Sequence, residues 1–226
     1  MIEFKTLKIT DADKFRAKLT DKNLGWEYNF ATVFLWNVHD SMQIAETDNA
    51  VLLYNKVFGR DIFMPPYLGP DGDFLSAVKA VNEYCDLFGI KHFFRGLSKE
   101  QVALLSDDKY LIGTSRNDYD YVYGSDDLKY LKGKPYHSKR NFVNRFKETY
   151  DYEFVDYSDN DFEAVIGLCD AWFSTADKSS ATEMERNAVL RALRYRNELD
   201  LKIGLLKVGG ACAGFSVSSI ESNGVI

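Results

Sequence analysis

The stretch "LKIGLLKVGGACAGFSVSSIESNGVI", Leu201 to Ile226, decides the fold. Two strand-like apolar runs flank Gly209-Gly210, a pair that suits a tight hairpin, and a third run begins after Asn223-Gly224. Upstream, "TEMERNAVLRALRYRNEL" and "DNDFEAVIGLCDAWFSTADK" carry apolar residues at helical spacing, and "YDYEFVDYS" alternates as a strand does. The order is therefore strand, two helices, hairpin.

The same order opens the chain. "IEFKTLKI" is a half-buried strand, and "TDADKFRAKLTDKN" is a helix opened by Thr10 or Asp11. In "YNFATVFLWNVHD" Phe30, Val33, Phe34 and Val38 share a helical face, and "MQIAETDNAVLLYNKVFG" folds back around Asp48-Asn49. The repeat lies in the elements and not in the residues. It predicts two similar α/β domains with mixed sheets, 1–125 and 126–226. After the first hairpin, "DIFMPPYLGPDG" is a strand stopped by Pro65 and Pro66, and "DFLSAVKAVNEYCDLFG" a helix closed by Gly89. "IKHFFRGL" and "YLIGTSRNDYDYVYG" have the pattern of further strands, with a short helix, "SKEQVALLSD", between them.

This order is how GNAT-type acyltransferase domains begin. Such a domain next supplies its acyl-donor-binding strand and a helix. The sequence stops at Val225-Ile226, so the second domain is expected to be incomplete, with an open apolar sheet edge near Val225 prone to self-association.

Composition narrows the function classes. The chain has 226 residues, 46% hydrophobic and 27% charged, enough for a proper core. A net charge of −6 argues against nucleic-acid binding over the whole surface, so any anion site is local. Cys85, Cys169 and Cys212 are far apart and read as reduced thiols of a cytoplasmic protein, buried in two helices and a strand. No apolar run is long enough to span a bilayer, and no signal peptide is expected. His39, His92 and His137 have no ligand at metal spacing, so no metal is expected. Walker, nucleophile-elbow and dinucleotide fingerprints are absent.

One segment breaks the acidic pattern. "YLKGKPYHSKRNFVNRFKETY", Tyr130 to Tyr150, holds Lys132, Lys134, Lys139, Arg140, Arg145 and Lys147 before its first acid, Glu148. Gly133-Lys134-Pro135 suits a turn into a helix. On that helix Phe142, Val143 and Phe146 form an apolar stripe expected to be buried. His137, Arg140, Asn141, Asn144 and Arg145 fall largely on the other face. That face is either a solvated helix surface or an anion site, with Arg and Lys as phosphate donors and Asn as an orienting amide. In the preceding "SRNDYDYVYG", read as a strand, Asn117, Tyr119, Tyr121 and Tyr123 share one face. Either this aromatic face packs on a helix, or Tyr119 and Tyr121 line a pocket with Arg116 pairing an acid or a ligand carboxylate.

Together these residues carry a resemblance. "RNDYDYVY" and "DLKYLKGKPYHSKRNFVNRFKETY" within Arg116–Tyr150, "EYNFATVFLW", "FMPPYLG" and "LDLKIGLLKVGGACAGFSV" resemble the phosphatidylglycerol lysyltransferase C-terminal domain family, along essentially the whole chain. The resemblance implies two GNAT-like folds in tandem, akin to Fem-type aminoacyl-tRNA-dependent transferases. Membrane-bound members move an aminoacyl group from a charged tRNA to a lipid headgroup, and this sequence resembles the stand-alone cytoplasmic ones. The family's later acidic, histidine-containing strand and its arginine-glutamate-aspartate motif do not occur here, so no catalytic residue carries over.

The expected donor is aminoacyl-tRNA, or acyl-CoA, with no bound cofactor. Lys134, His137, Lys139, Arg140 and Arg145 are the candidates for holding its phosphates at a cleft between the domains. Asn141 and Asn144 are the orienting amides, and Arg116, Tyr119 and Tyr121 lie on the neighbouring strand. The competing expectations are a non-catalytic ligand-binding or self-associating module and a CoA-dependent N-acetyltransferase.

Overall fold

The structure, a computed structural model, describes residues 2–20, 25–37, 39–57, 59–105, 109–116, 119–176 and 179–220. Val38, Asn117 and the Asn223–Ile226 edge, all named above, lie outside them. The chain divides into two units. Met1–Asp118, Asn187–Asp200 and Ser219–Ile226 make the first, and Tyr119–Arg186 with Leu201–Ser218 the second.

In the first unit β1 (Lys5–Thr6) pairs antiparallel with β2 (Gln43–Glu46), and β2 with β3 (Ala50–Val57). β3 also pairs antiparallel with β4 (Arg60–Phe63) and with the short β5 (Tyr67–Leu68). β6 (His92–Phe94) joins β4 in parallel, and the helix α3 (Phe74–Phe88) makes the crossover that a parallel pair requires. The sheet is thus mixed.

Residues Ala50 to Tyr54 of β3 are all buried, because both faces of this central strand are covered. Ala50, Leu52 and Tyr54, of one parity, pack with Phe63 and with Ala77, Val81 and Cys85 of α3. Near Tyr67, Phe15 of α1 (Ala12–Arg16) and Phe30 of α2 (Phe30–Trp36) build an aromatic cluster, with ring centroids 4.7 Å (Phe15–Tyr67) and 4.9 Å (Phe15–Phe30) apart.

The ends of α3 follow from its sequence. The Asp73 carboxylate accepts from the Ser76 amide at 2.8 Å as the N-cap. Gly89 takes φ +62°, and the Ile90 amide donates back to the Cys85 carbonyl at 2.8 Å, a Schellman closure. α4 (Lys99–Ala103) opens with a capping box between Ser98 and Gln101.

The second unit holds α5 (Ser125–Tyr130), α6 (His137–Thr149), β7 (Tyr152–Asp156) and α7 (Phe162–Thr175). It also holds the first residues of α8 (Ser180–Arg194), β8 (Lys202–Val208) and β9 (Ala211–Ser218). Its sheet runs β7–β8–β9, antiparallel throughout. Ile203 and Leu205 of β8 are buried, as are Val165 and Cys169 of α7, which packs on β9. The succession β1, α1, α2, β2–β3 therefore recurs as β7, α7, α8, β8–β9, with matching antiparallel pairing. Cys85, Cys169 and Cys212 are free thiols on α3, α7 and β9, the first two buried.

One expected strand does not form. Of "YLIGTSRNDYDYVYG", none of the described residues belongs to a strand. Alternation alone does not make a strand. Pairing with a neighbour and packing against it do, and Tyr121 is 82% exposed.

Candidate anion-binding site

The basic segment begins where α5 ends, at Leu131 in the left-handed region with φ +48°. Gly133 follows with φ +84° and ψ 176°, a conformation open essentially to glycine alone. A turn over Lys134–Tyr136, with Pro135 near its start, then leads into α6. The Arg140 guanidinium reaches back from α6 and donates through Nη1 to the Leu131 carbonyl and, at 3.1 Å, to the Gly133 carbonyl. Arg140 thus fixes the loop that carries Lys132 and Lys134.

The apolar stripe of α6 is not buried as the pattern predicts. Phe142 is 62% exposed, Val143 is exposed, and only Phe146 is half-buried, with ring centroids 5.1 Å from Tyr150 and 5.5 Å from Tyr152. The helix meets the start of β7 through Phe146, while Phe142 and Val143 stay exposed, so helical amphipathicity overstated its contact. The Arg145 guanidinium lies 5.4 Å from the Phe142 ring centroid, which gives that exposed ring a cationic cover. Lys129 and Lys132 flank Tyr130 in the same way, at 5.0 and 4.9 Å.

On the opposite side the His137 ring and the Asn141 amide meet at 3.1 Å, one helical turn apart. Lys134, His137, Lys139, Asn141, Asn144 and Arg145 are all exposed. Among the described residues, none of the six cations from Lys132 to Lys147 pairs with a carboxylate. Several crowd the N-terminal half of α6, where the helix dipole already places positive potential. That arrangement does nothing for the helix itself, and it favours an anion.

Arg116 counts with the first unit and Tyr119 and Tyr121 with the second, and none of them is on a strand. Pattern reading passed over a second basic feature. Asn187, Leu190, Arg191, Arg194 and Tyr195 share one face of α8 and its extension, and with Asp40 they line an open cleft of about 320 Å³ in the first unit. The spacing was readable, but the carboxylate partner from a distant part of the chain was not.

Among the described residues no group of three or more His, Cys, Asp or Glu side chains is placed to hold a metal ion. No helix among them is long and apolar enough to cross a membrane.

A crystal structure from Bacteroides thetaiotaomicron VPI-5482, described as a conserved protein of unknown function, is similar to this chain with a TM-score of 0.87 at 26% identity. The match covers 96% of this chain and 75% of that one. The structure of L-PGS from Bacillus licheniformis is similar with a TM-score of 0.56 at 16% identity, covering 94% of this chain and 62% of that one. At that identity the likeness is one of fold, the α/β GNAT-like architecture. This chain thus spans less than two thirds of the length of that L-PGS. No curated protein matches. The family described as phosphatidylglycerol lysyltransferase, C-terminal, matches residues 22–223. The chain therefore belongs to the phosphatidylglycerol lysyltransferase C-terminal family.

Proposed function

We propose that the protein serves aminoacyl transfer, with α6 and its lead-in loop holding the phosphates of a charged tRNA donor. The observation that carries this reading is the run of cations from Lys132 to Lys147, exposed apart from Arg140 and with no carboxylate partner among the described residues, on a chain of net charge −6. Family membership supports the reaction class.

In such a transfer the acceptor's nucleophile attacks the ester carbonyl of the aminoacyl group, and the tRNA's terminal hydroxyl leaves. The protein contributes chiefly by position, since holding an activated ester beside its acceptor removes much of the entropic barrier. Lys134, Lys139 and Arg145 are the phosphate contacts. Arg140 keeps the Lys132–Lys134 loop in place, and Asn141 and Asn144 present amides for a carbonyl or hydroxyl. A lipid headgroup or another small molecule is the acceptor.

Calorimetric titration with tRNA and, separately, with acetyl-CoA tests the donor. Saturable binding of tRNA that acetyl-CoA does not displace is the expected result. Binding of acetyl-CoA with none of tRNA would replace this reading with that of an N-acetyltransferase.

A further inference from the structure

The cleft on the α8 face is a separate feature from the cationic helix α6. Arg191 is its centre. The guanidinium carbon lies 4.4 Å from the buried Phe34 ring centroid, and the side chain is only 17% exposed. Its Nη1 donates to the Asp40 carboxylate at 3.2 Å. Its Nε is buried and has no hydrogen-bond partner among the described residues. A guanidinium offers five donors in a planar fork. Here the stacking ring occupies its face and a single carboxylate oxygen its edge.

Asp40 is a poor permanent occupant. It is largely exposed and sits in the left-handed region at φ +48°. Asn37 fixes its loop by accepting the Asp40 amide on its carbonyl at 3.1 Å and the Met42 amide on its side chain at 2.9 Å. An ion pair exposed on one side contributes little. Beside it Arg194 lies over Tyr195, 5.3 Å from the ring centroid, and meets no carboxylate among the described residues. The cleft therefore presents two guanidiniums, one amide, one phenol ring and the apolar Leu190 against one weakly held carboxylate. Its volume of about 320 Å³ is at the small end of ligand sites, roughly 300–1,000 Å³.

We propose that this cleft binds a small molecule carrying a carboxylate next to an apolar body. The carboxylate takes the guanidinium edge of Arg191 that Asp40 now holds, with Arg194 and Asn187 beside it and the apolar part against Leu190 and Tyr195. Asp40 is a built-in competitor whose own carboxylate marks the place.

The test is nuclear magnetic resonance titration of the whole protein with benzoate, and with benzamide as the neutral counterpart, following the Arg191 Nε–H and the amides of 187–195. Benzoate is expected to give saturable shifts that benzamide does not. Asp40→Asn, an exposed and structurally mild change, is expected to tighten benzoate binding about two- to fivefold by removing the competitor. Arg194→Gln is expected to weaken it by a similar factor. Equal shifts with benzamide, no saturation, or an Asp40→Asn variant that binds no better would overturn the proposal.

Discussion

Arg140 Nη1 donates to the Gly133 carbonyl at 3.1 Å and also bonds the Leu131 carbonyl, so one of the six cations of the basic segment is structural. The others are not. Arg140→Ala is expected to destabilise the second unit by about 1 kcal/mol, the low side of a charge-assisted hydrogen bond because the contact is partly exposed. Lys139→Ala and Arg145→Ala are expected to stay within about 0.5 kcal/mol of the parent. Denaturant unfolding of the three variants checks the split.

Gly96 stands at φ +80°, and a Cβ there would fall 2.3 Å from Glu27 Oε1. Glu27 is only 7% exposed and has little room to swing away. Gly96→Ala is expected to cost about 2–3 kcal/mol from backbone strain and this contact together. Gly89→Ala meets nothing within 4 Å and carries the left-handed penalty alone, about 1 kcal/mol. Thermal melts of both variants separate the two contributions.

Asp161 accepts from the Ser158 hydroxyl at 2.7 Å and amide at 3.0 Å, and lies 2.9 Å from the Lys207 ammonium. These contacts, Ser158 first, hold its carboxyl down to about 2 from an ordinary 3.8. A lowered folded-state value means the stabilisation is complete above the ordinary value and is lost as pH falls through the folded one. Protection of the α7 amides, measured as exchange relative to the intrinsic rate at each pH, should therefore fall between about pH 4 and pH 2. In Asp161→Asn the contribution from this residue should be missing across that window.

Phe15 is fully buried between Phe30 and Tyr67, whereas Phe142 is exposed on α6. Phe15→Ala is expected to cost about 3–5 kcal/mol. Phe142→Ser is expected to change stability by less than about 0.5 kcal/mol while raising solubility. Unfolding curves and a solubility limit measure both.

What the sequence made legible was local. Gly89 announced the end of α3, Gly209-Gly210 the β8–β9 turn, and Asp48-Asn49 the β2–β3 turn, because caps and turns depend on residues close in the chain. The repeated strand–helix–helix–hairpin order was readable for the same reason. The tyrosine run around Tyr121 misled because a strand needs a partner that alternation does not supply. The Phe142 stripe misled because a helical face shows what can be buried and not what is there to bury it. Within the candidate site, the cation run was plain, but the tie from Arg140 to the loop carbonyls was not. Arg191 and Asp40 are separated by most of the chain, and only folding brings them to 3.2 Å.

The central claim, that the α6 cations hold the phosphates of a tRNA donor, is tested most directly by the salt dependence of tRNA binding. Each phosphate contact contributes about 0.7–0.9 to the slope of log affinity against log salt. Lys134→Ala, Lys139→Ala and Arg145→Ala combined should weaken binding and flatten that slope by about 2–3. A triple variant that binds tRNA with the parent's affinity and slope would contradict the account.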